Sequence, residues 1–240
     1  MISISIISKR SKLCKVKRIS AFVFLYLLFT FLVIPHVAPV FGRVKIEDSE
    51  ILESHSFFYK LLNRNYVKPE LYDALLSIAE KGTKSNKNFK LIYLDANFPF
   101  IDNFPLLPHL SHDDGKKIDV AFVYESKEGV QTNLKPSRSG YGYFAEPREN
   151  EFSQTEFCKT NGYWQYDYPK YLTLGIPNNN LVFSNEGTKR FLTSIFETAE
   201  VEKIFIEKHL KTRMKLSDVK LRFQGCGAVR HDDHIHFQIK

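Results

Sequence analysis

An apolar run near the N-terminus constrains the fold of this chain more than any other feature. Residues 19–35 read ISAFVFLYLLFTFLVIP and contain no charge, with Ser20 and Thr30 as the polar interruptions. At ~1.5 Å of rise per residue, such a helix covers most of a ~30 Å hydrocarbon core, and residues 35–41 add apolar length. A run that is apolar on every face fits a buried core helix poorly. We therefore predict a transmembrane signal anchor or a signal peptide at 19–41.

The residues before this run set its orientation. Residues 1–18 form a basic arm with no acidic residue, and its charges are Lys9, Arg10, Lys12, Lys15, Lys17 and Arg18. Such a flank stays in the cytoplasm and sends the following segment outward. The sequence VAP at 37–39 is a poor cleavage site, which favours a retained anchor in the cytoplasmic membrane. A cleaved signal peptide would instead release the domain to the periplasm, and both alternatives predict the cell envelope.

The rest of the chain is nearly neutral. The formal net charge of +7 arises almost entirely in the arm, since residues 43–240 carry 28 basic and 27 acidic side chains. No basic patch with interleaved aromatic residues is evident there, so we predict no nucleic-acid partner. A hydrophobic content of 43% is enough for a sizeable core. We predict a linker at 42–49 and one domain at 50–240.

Hydrophobic periodicity assigns the elements of this domain. Helices are predicted at 51–65, 69–82, 185–200 and 207–214, and strands at 90–98, 117–126, 201–207, 218–225 and 234–240. Residues 127–180 are rich in Gly, Pro, Asn and Tyr and predict a long excursion, a kind of segment that often covers a substrate cleft. The order of elements predicts an α+β fold, with helices flanking a mainly antiparallel sheet.

Two cysteines belong to the exported part. Cys14 lies in the basic arm, which leaves Cys158 and Cys226. In an oxidising compartment this pair can form one disulfide, and two buried free thiols are the alternative. No C-x-x-C spacing is present, which disfavours cysteine as a zinc ligand.

The histidines are concentrated in two short segments. Five of the eight lie in LPHLSHDDGKKID (107–119) and HDDHIHFQIK (231–240), namely His109, His112, His231, His234 and His236. Gly115 allows a sharp turn between His112 and Asp119, and the final strand can bring His236 alongside them. Two imidazole nitrogens and one carboxylate oxygen make a three-ligand zinc site with an open fourth position, which is typical of catalytic zinc.

These segments resemble a known family. SHDDGKKID (111–119) is similar to the S-x-H-x-x-G-x-x-x-D signature of D-Ala-D-Ala metallopeptidases. HIH (234–236) is similar to the H-x-H of the wider group that includes lysostaphin-type endopeptidases and the hedgehog domain. The paired histidines look most like penicillin-insensitive murein endopeptidase. The resemblance implies a LAS-type zinc metallopeptidase with a hedgehog-like fold.

The resemblance also implies roles for individual residues. His112, Asp119 and His236 would bind Zn2+, His234 would polarise the scissile carbonyl or stabilise the oxyanion, and His109 would line the site. Carboxypeptidase relatives place a glutamate as general base where this chain has Asp233. In the endopeptidase branch histidines take that role, which favours His231 and His234, so the base stays open between these alternatives.

An exported, membrane-anchored peptidase would meet cell-wall peptide. We therefore expect hydrolysis of a peptide bond in peptidoglycan, by an endopeptidase or a carboxypeptidase. Stem peptides carry carboxylates, which Arg138 or Arg148 in the long excursion could bind. The alternative is a membrane-tethered, non-catalytic, metal-containing domain that binds cell-wall polymer.

Overall fold

The N-terminal apolar segment forms one helical rod. The computed structural model describes residues 2–106 and 111–240, with side chains from Leu13 onward in this rod. The rod comprises α1 (Ile2–Leu28), a π-helical turn (Phe29–Val33), α2 (Ile34–Val37) and a 3-10 turn (Ala38–Phe41). The hydrogen-bond pattern changes next to Pro35, which has no N–H to donate. Leu13–Phe41 is long and apolar enough to be a membrane anchor or a signal sequence.

The rest of the described chain builds three sheets and several short helices. The strands are β1 (Val44–Lys45), β2 (Leu52–Ser54), β3 (Tyr66–Val67), β4 (Leu91–Tyr93), β5 (Lys117–Ala121), β6 (Tyr124–Glu125), β7 (Gln131–Thr132), β8 (Val182–Phe183), β9 (Val201–Phe205), β10 (Leu221–Arg222) and β11 (His234–Ile239). The helices are α3 (Phe57–Leu61), α4 (Pro69–Ser85), α5 (Gln154–Thr160), α6 (Asn185–Phe196) and α7 (Lys208–Arg213), with a 3-10 helix at Trp164–Tyr171.

The main sheet is mixed, and the C-terminal strand lies in its interior. Its order is β10-β9-β11-β5-β4-β2 among the described residues. β11 is antiparallel to both β5 and β9, and β4 is antiparallel to β5. The outer pairs, β10 with β9 and β2 with β4, are parallel. The α+β class is therefore confirmed, while the antiparallel arrangement is limited to the middle of the sheet.

The two faces of the main sheet differ in chemistry. Alternate residues of β11 and β5 enter the large core, where they meet apolar residues of α4 and α6; they are Ile118, Val120, Ile235, Phe237 and Ile239. The intervening side chains, including Asp119 and His236, therefore point to the opposite face. That face carries a smaller apolar cluster of Ile92, Leu94, Ala121 and Tyr141. Because side chains alternate between the two faces along each strand, the packing residues and the candidate site residues of β5 and β11 lie on opposite faces of the sheet.

The helix predicted at 69–82 is confirmed as α4, but it continues past Gly82 to Ser85. Pro69 occupies its first turn, where the missing N–H costs nothing. A Cβ at Gly82 would lie 2.3 Å from Cε1 of Phe89. Gly82 therefore permits close approach of an aromatic ring and does not end the helix.

Several predicted elements are wrong in type or length. The helix predicted at 51–65 is strand β2 followed by the short α3, because Leu52 pairs in the ladder with Leu91 and Ser56 caps a new helix. The strand predicted at 117–126 divides between β5 of the main sheet and β6 of a second sheet, ordered β7-β6-β8. The strands predicted at 90–98 and 218–225 shorten to β4 and β10.

Residues 42–49, predicted as a linker, are folded against the domain. β1 pairs antiparallel with β3, and the N–H of Ile46 donates to the carbonyl of Asn65 at 2.8 Å. Arg43 and Ile46 are each 1% exposed. The apolar rod therefore joins the domain without a free spacer.

The long excursion contains α5, the 3-10 helix and a disulfide. Cys158 in α5 is bonded to Cys226, with Cα atoms 5.3 Å apart. The disulfide was one of the two alternatives for this pair. It connects the excursion to the segment that precedes β11.

Candidate metal centre

The site begins with two neighbouring strands. Asp119 on β5 is the cross-strand partner of His236 on β11. His234 lies two residues before His236 and therefore shares its face of the sheet. The H-x-H spacing at the end of the chain is thus a strand pattern that places both imidazoles beside Asp119.

His112 reaches the same point from the loop before β5. Gly115 turns that loop with a φ of +79°, and a Cβ there would lie 2.5 Å from the guanidinium carbon of Arg43. The Nδ1 of His112 lies 3.1 Å from the carbonyl oxygen of Ala96, to which it donates. This hydrogen bond directs the Nε2 lone pair of His112 toward the two strands.

Three potential ligand atoms converge closely. The Nε2 of His112 lies 3.2 Å from the Nδ1 of His236 and 3.2 Å from Oδ1 of Asp119. The third side of this triangle, from His236 Nδ1 to Asp119 Oδ1, is 2.8 Å. A tetrahedral ion with bonds of ~2.0 to 2.1 Å holds its ligand atoms roughly 3.3 Å apart. The three residues could therefore hold a metal ion with little movement.

The candidate ligands are buried, and burial keeps His236 in the form that a metal needs. His112 and Asp119 are each 1% exposed, and His236 is 4% exposed. Burial lowers the pKa of His236 to about 4, so its imidazole is neutral at ordinary pH. Neutral imidazole is the form that coordinates metal.

Tyr141 holds the second oxygen of the Asp119 carboxylate. Its hydroxyl donates to Asp119 Oδ2 at 2.8 Å, which leaves Oδ1 turned toward the histidines. Burial and the Asp119 charge raise the pKa of Tyr141 well above its ordinary value, so it remains a donor. Tyr141 is not among the site residues that the sequence predicts. The signal that could have revealed it is G-Y-G at 140–142, where both glycines have positive φ.

Asp233 orients His234 through a short hydrogen bond. Its Oδ1 accepts from Nδ1 of His234 at 2.5 Å, and its Oδ2 accepts from the N–H of Gly142 at 2.6 Å. Asp233 is fully buried, and both oxygens are occupied away from the metal group. In this structure Asp233 acts on the site through His234, and its role as a general base stays a prediction. The Nε2 of His234 is the atom that faces the site, 3.7 Å from Asp119 Oδ1.

His231 lines the site beside His234. Their ring centroids are 4.9 Å apart, and His231 is 5.9 Å from the ring of His236. The N–H of His231 donates to Oε1 of Glu207 at 3.0 Å. Burial raises the pKa of Glu207 to about 6, and this carboxyl also accepts from Tyr166. Sequence reasoning missed Glu207, which fixes the backbone at His231.

Buried ion pairs support the two histidine segments. Next to His112, Arg64 forms a bidentate ion pair with Asp95. The Oδ2 of Asp95 lies 3.9 Å from the Nδ1 of His112. Beside His231, Arg230 donates to both oxygens of Asp232 and to Asp167. These ion pairs were not predicted, because partners such as Arg230 and Asp167 lie far apart in the sequence and no local pattern connects them.

A cavity of about 390 Å3 opens onto these residues. Its described lining comprises Ser111, His112, Asp119, Gln165, Gln224, Gly227, Ala228, Val229, His231, His234 and His236. The segment from Gln224 to Val229 follows β10 and carries the disulfide residue Cys226, so the disulfide ties one wall of the cavity to α5.

The arginines proposed to bind substrate do not line this cavity. Arg138 lines a different cavity of about 500 Å3 next to His55, and its N–H is bonded to the carbonyl of Gly175. The side chain of Arg148 is exposed, at a turn closed by Glu151. The structure therefore places neither arginine in the lining of this cavity, and their role in substrate binding stays a prediction. His109 lies outside the described residues.

Comparison with known proteins adds no family assignment. No protein-family model matches the sequence, and no curated protein matches it either.

Proposed function

We propose that this chain is a membrane-anchored zinc peptidase that hydrolyses a peptide bond in cell-wall peptidoglycan. The observation that carries the proposal is the convergence of His112, Asp119 and His236 next to an imidazole that is oriented by a carboxylate. Three protein ligands facing an open cavity are typical of catalytic zinc, whereas structural zinc is normally enclosed by four.

The ligand set fits zinc better than magnesium or calcium. Two imidazole nitrogens and one carboxylate oxygen suit zinc, while magnesium and calcium prefer oxygen ligands alone. The partners of the ligands also fit, since Ala96 and Tyr141 bind the outer atoms of His112 and Asp119. Such outer contacts orient metal ligands and are a regular part of metal sites.

Zinc bound here would lower the pKa of a coordinated water toward ~7 and would polarise an amide carbonyl. His234 supplies what the metal does not. Because Asp233 holds its Nδ1, the Nε2 of His234 faces the cavity and can accept a proton or donate a hydrogen bond. In that position it would stabilise the oxyanion and return a proton to the leaving amine. His231 is the second candidate for proton transfer.

The cell wall is the substrate class that the whole chain supports. The basic arm and the apolar rod favour a retained anchor with the domain outside the cytoplasm. The burial of Ala38 adds support, because the middle residue of the VAP sequence is then not accessible to a signal peptidase. The resemblance to LAS-type peptidases points to the same substrate, and the two glutamines in the cavity wall, Gln165 and Gln224, could bind peptide amides.

The experiment compares two histidines of the same strand. Purified full-length wild type, His234→Ala and His236→Ala are assayed for bound zinc and for cleavage of purified muropeptides, with products identified by mass. We expect His234→Ala to keep its zinc while hydrolysis falls by a factor on the order of 10² to 10³, the usual cost of one oxyanion donor. We expect His236→Ala to lose the metal.

The control is His36→Ala, which removes an exposed histidine of the apolar rod and should change neither quantity. If zinc-loaded wild type cleaves no peptide amide across a broad panel, the hydrolase proposal fails. A non-catalytic domain that binds cell-wall polymer would then be the better description. Product masses also decide between an endopeptidase and a carboxypeptidase.

A further inference from the structure

The short helix α3 exposes a cluster of large apolar side chains. Phe57 is 61% exposed, Phe58 is 64% exposed, and Leu62, which follows the helix, is 55% exposed. Single exposed apolar residues are ordinary, but a contiguous group of this kind marks an interaction surface. We call Phe57, Phe58 and Leu62 the α3 apolar patch.

This patch lies directly beside the apolar rod. The hydroxyl of Tyr26 donates to the carbonyl of Leu61 at 2.7 Å, and Nδ2 of Asn63 donates to Oγ1 of Thr30 at 3.3 Å. The rings of Phe31 and Phe57 stack with centroids 5.8 Å apart. Thr30 is only 3% exposed as a result. The domain therefore contacts the rod between Tyr26 and Phe31, well before the rod ends at Phe41.

The position of this contact along the rod gives a depth. Tyr26 and Phe31 follow Arg18, the last charge before the apolar run, by eight and thirteen residues. At ~1.5 Å per residue they lie roughly 12 and 20 Å beyond Arg18, in a hydrocarbon layer of ~30 Å. By the same measure Phe41 lies roughly 35 Å beyond Arg18, at the far interface. The contact therefore spans the middle of the layer, with Tyr26 on its cytoplasmic side and Phe31 on its outer side.

The backbone of α3 is suited to that environment, where an unpaired polar group is costly. Ser56 caps its first turn by accepting from the N–H of Phe58. Tyr26 satisfies the carbonyl of Leu61 at the other end, where helix carbonyls otherwise lack partners. The charged side chain of α3, Lys60, is paired with Asp48.

We propose that α3 is embedded in the hydrocarbon layer of the membrane, with acyl chains covering the α3 apolar patch. The inference rests on the membrane anchor proposed above. The added claim is that the domain has one fixed orientation against the bilayer and does not move freely on a flexible linker. The absence of a free spacer at 42–49 agrees with this arrangement.

The test measures the depth of a fluorophore in vesicles. Full-length protein carrying Cys14→Ser and one added cysteine is labelled with an environment-sensitive dye and reconstituted into phosphatidylethanolamine and phosphatidylglycerol vesicles. The variants are Phe58→Cys in the patch, Phe24→Cys on the rod and Val219→Cys just before β10, at the opposite edge of the main sheet from β2. These sites are 64%, 64% and 84% exposed. Quenching by spin-labelled acyl chains is compared with quenching by aqueous iodide.

We expect the dye at position 58 to behave as the dye at position 24 does, with strong acyl-chain quenching and severalfold weaker iodide quenching than at position 219. Iodide quenching at 58 with acyl-chain quenching at 24 would overturn the embedding and leave the anchor intact. Protection from both quenchers at 58 would also overturn it, since a second protein copy would then cover the patch. Loss of acyl-chain quenching at 24 would overturn the anchor and the embedding together.

Discussion

The two oxygens of the Asp119 carboxylate face different groups, since Oδ2 accepts from Tyr141 and Oδ1 faces the histidines. Removal of one hydroxyl group tests this arrangement. Tyr141→Phe removes the hydroxyl that holds Asp119 Oδ2. The carboxylate then gains freedom to rotate, and contacts of this kind are typically worth ~10 to 100-fold in metal affinity. We expect zinc affinity to fall by that order in competition titrations with a chelating dye.

Tyr143→Phe is the matched control, because its hydroxyl donates to the carbonyl of Leu181, away from the site. It should leave zinc affinity unchanged. Equal affinities for the two variants would show that Tyr141 does not position the ligand.

Asp233 offers a second residue-scale test. Asp233→Asn keeps the size of the side chain but removes the charge that holds His234 Nδ1. We expect zinc content to stay at the wild-type level and kcat to fall by ~10 to 100-fold, the usual cost of losing such an orienting contact. Glu149→Gln on the exposed surface is the control for loss of one acidic group. Zinc loss in Asp233→Asn would place the carboxylate nearer the metal than the structure has it.

At this scale the sequence identifies the ligand-forming residues and misses what holds them. His112, Asp119 and His236 follow from residue type and spacing, and the structure brings them together. Glu207 could not be found in this way, because it reaches the site across the fold, and the signal for Tyr141 is limited to its two flanking glycines. The contact of Asp233 with His234 was also missed, because spacing alone does not tell which way a buried carboxylate points.

At the scale of elements, the disulfide joins α5 to the cavity wall. Replacing both cysteines, Cys158→Ala with Cys226→Ala, opens a loop with a sequence separation of 68 residues. The chain-entropy relation gives about 4 kcal/mol for a loop of this size. We expect the free energy of unfolding to fall by that order in urea titrations followed by circular dichroism. Zinc should stay bound in native buffer, since all three ligands lie outside the wall.

An unchanged unfolding midpoint would contradict the stabilising role of the disulfide. A second outcome would contradict the account of the site, namely loss of zinc from a variant that remains folded. Reduction of the wild type should reproduce the double variant.

Central elements were easier to predict than peripheral ones. β5 and β11 alternate clearly because one face meets the large core, and α4 and α6 have a clear apolar face for the same reason. β2, β6 and β10 have only two or three residues each, too few for a period to be seen. Their type is set by pairing with distant strands, which the local sequence does not encode.

At the scale of the whole molecule, the orientation across the membrane can be tested by fusion. A reporter phosphatase that is active only outside the cytoplasm, joined after residue 45, should be active in cells. The reason is the basic arm, which the positive-inside rule keeps in the cytoplasm. A matched fusion after residue 18 lacks the apolar run and should be inactive. Activity reversed between the two would rule out the envelope location.

The sequence predicted the division into arm, apolar run and domain, but not how closely the parts pack. Composition revealed residues 19–41 because a membrane demands a long apolar run. The contacts of α3 and the following Asn63 with Tyr26 and Thr30 depend on tertiary structure. The polar stretch at 42–49 was predicted as a linker because its hydrophobic residues show no periodicity. Local pattern therefore predicted the parts, and the fold determined their arrangement.

The most direct test of the central claim is the position of zinc in the protein. Crystals of the zinc-loaded protein, or of its domain in detergent, would be measured on both sides of the zinc absorption edge. We expect one anomalous peak between His112 Nε2, Asp119 Oδ1 and His236 Nδ1, and no such peak in crystals of His236→Ala. A zinc-loaded wild type with no peak there, or with its peak held by other residues, would contradict the claim.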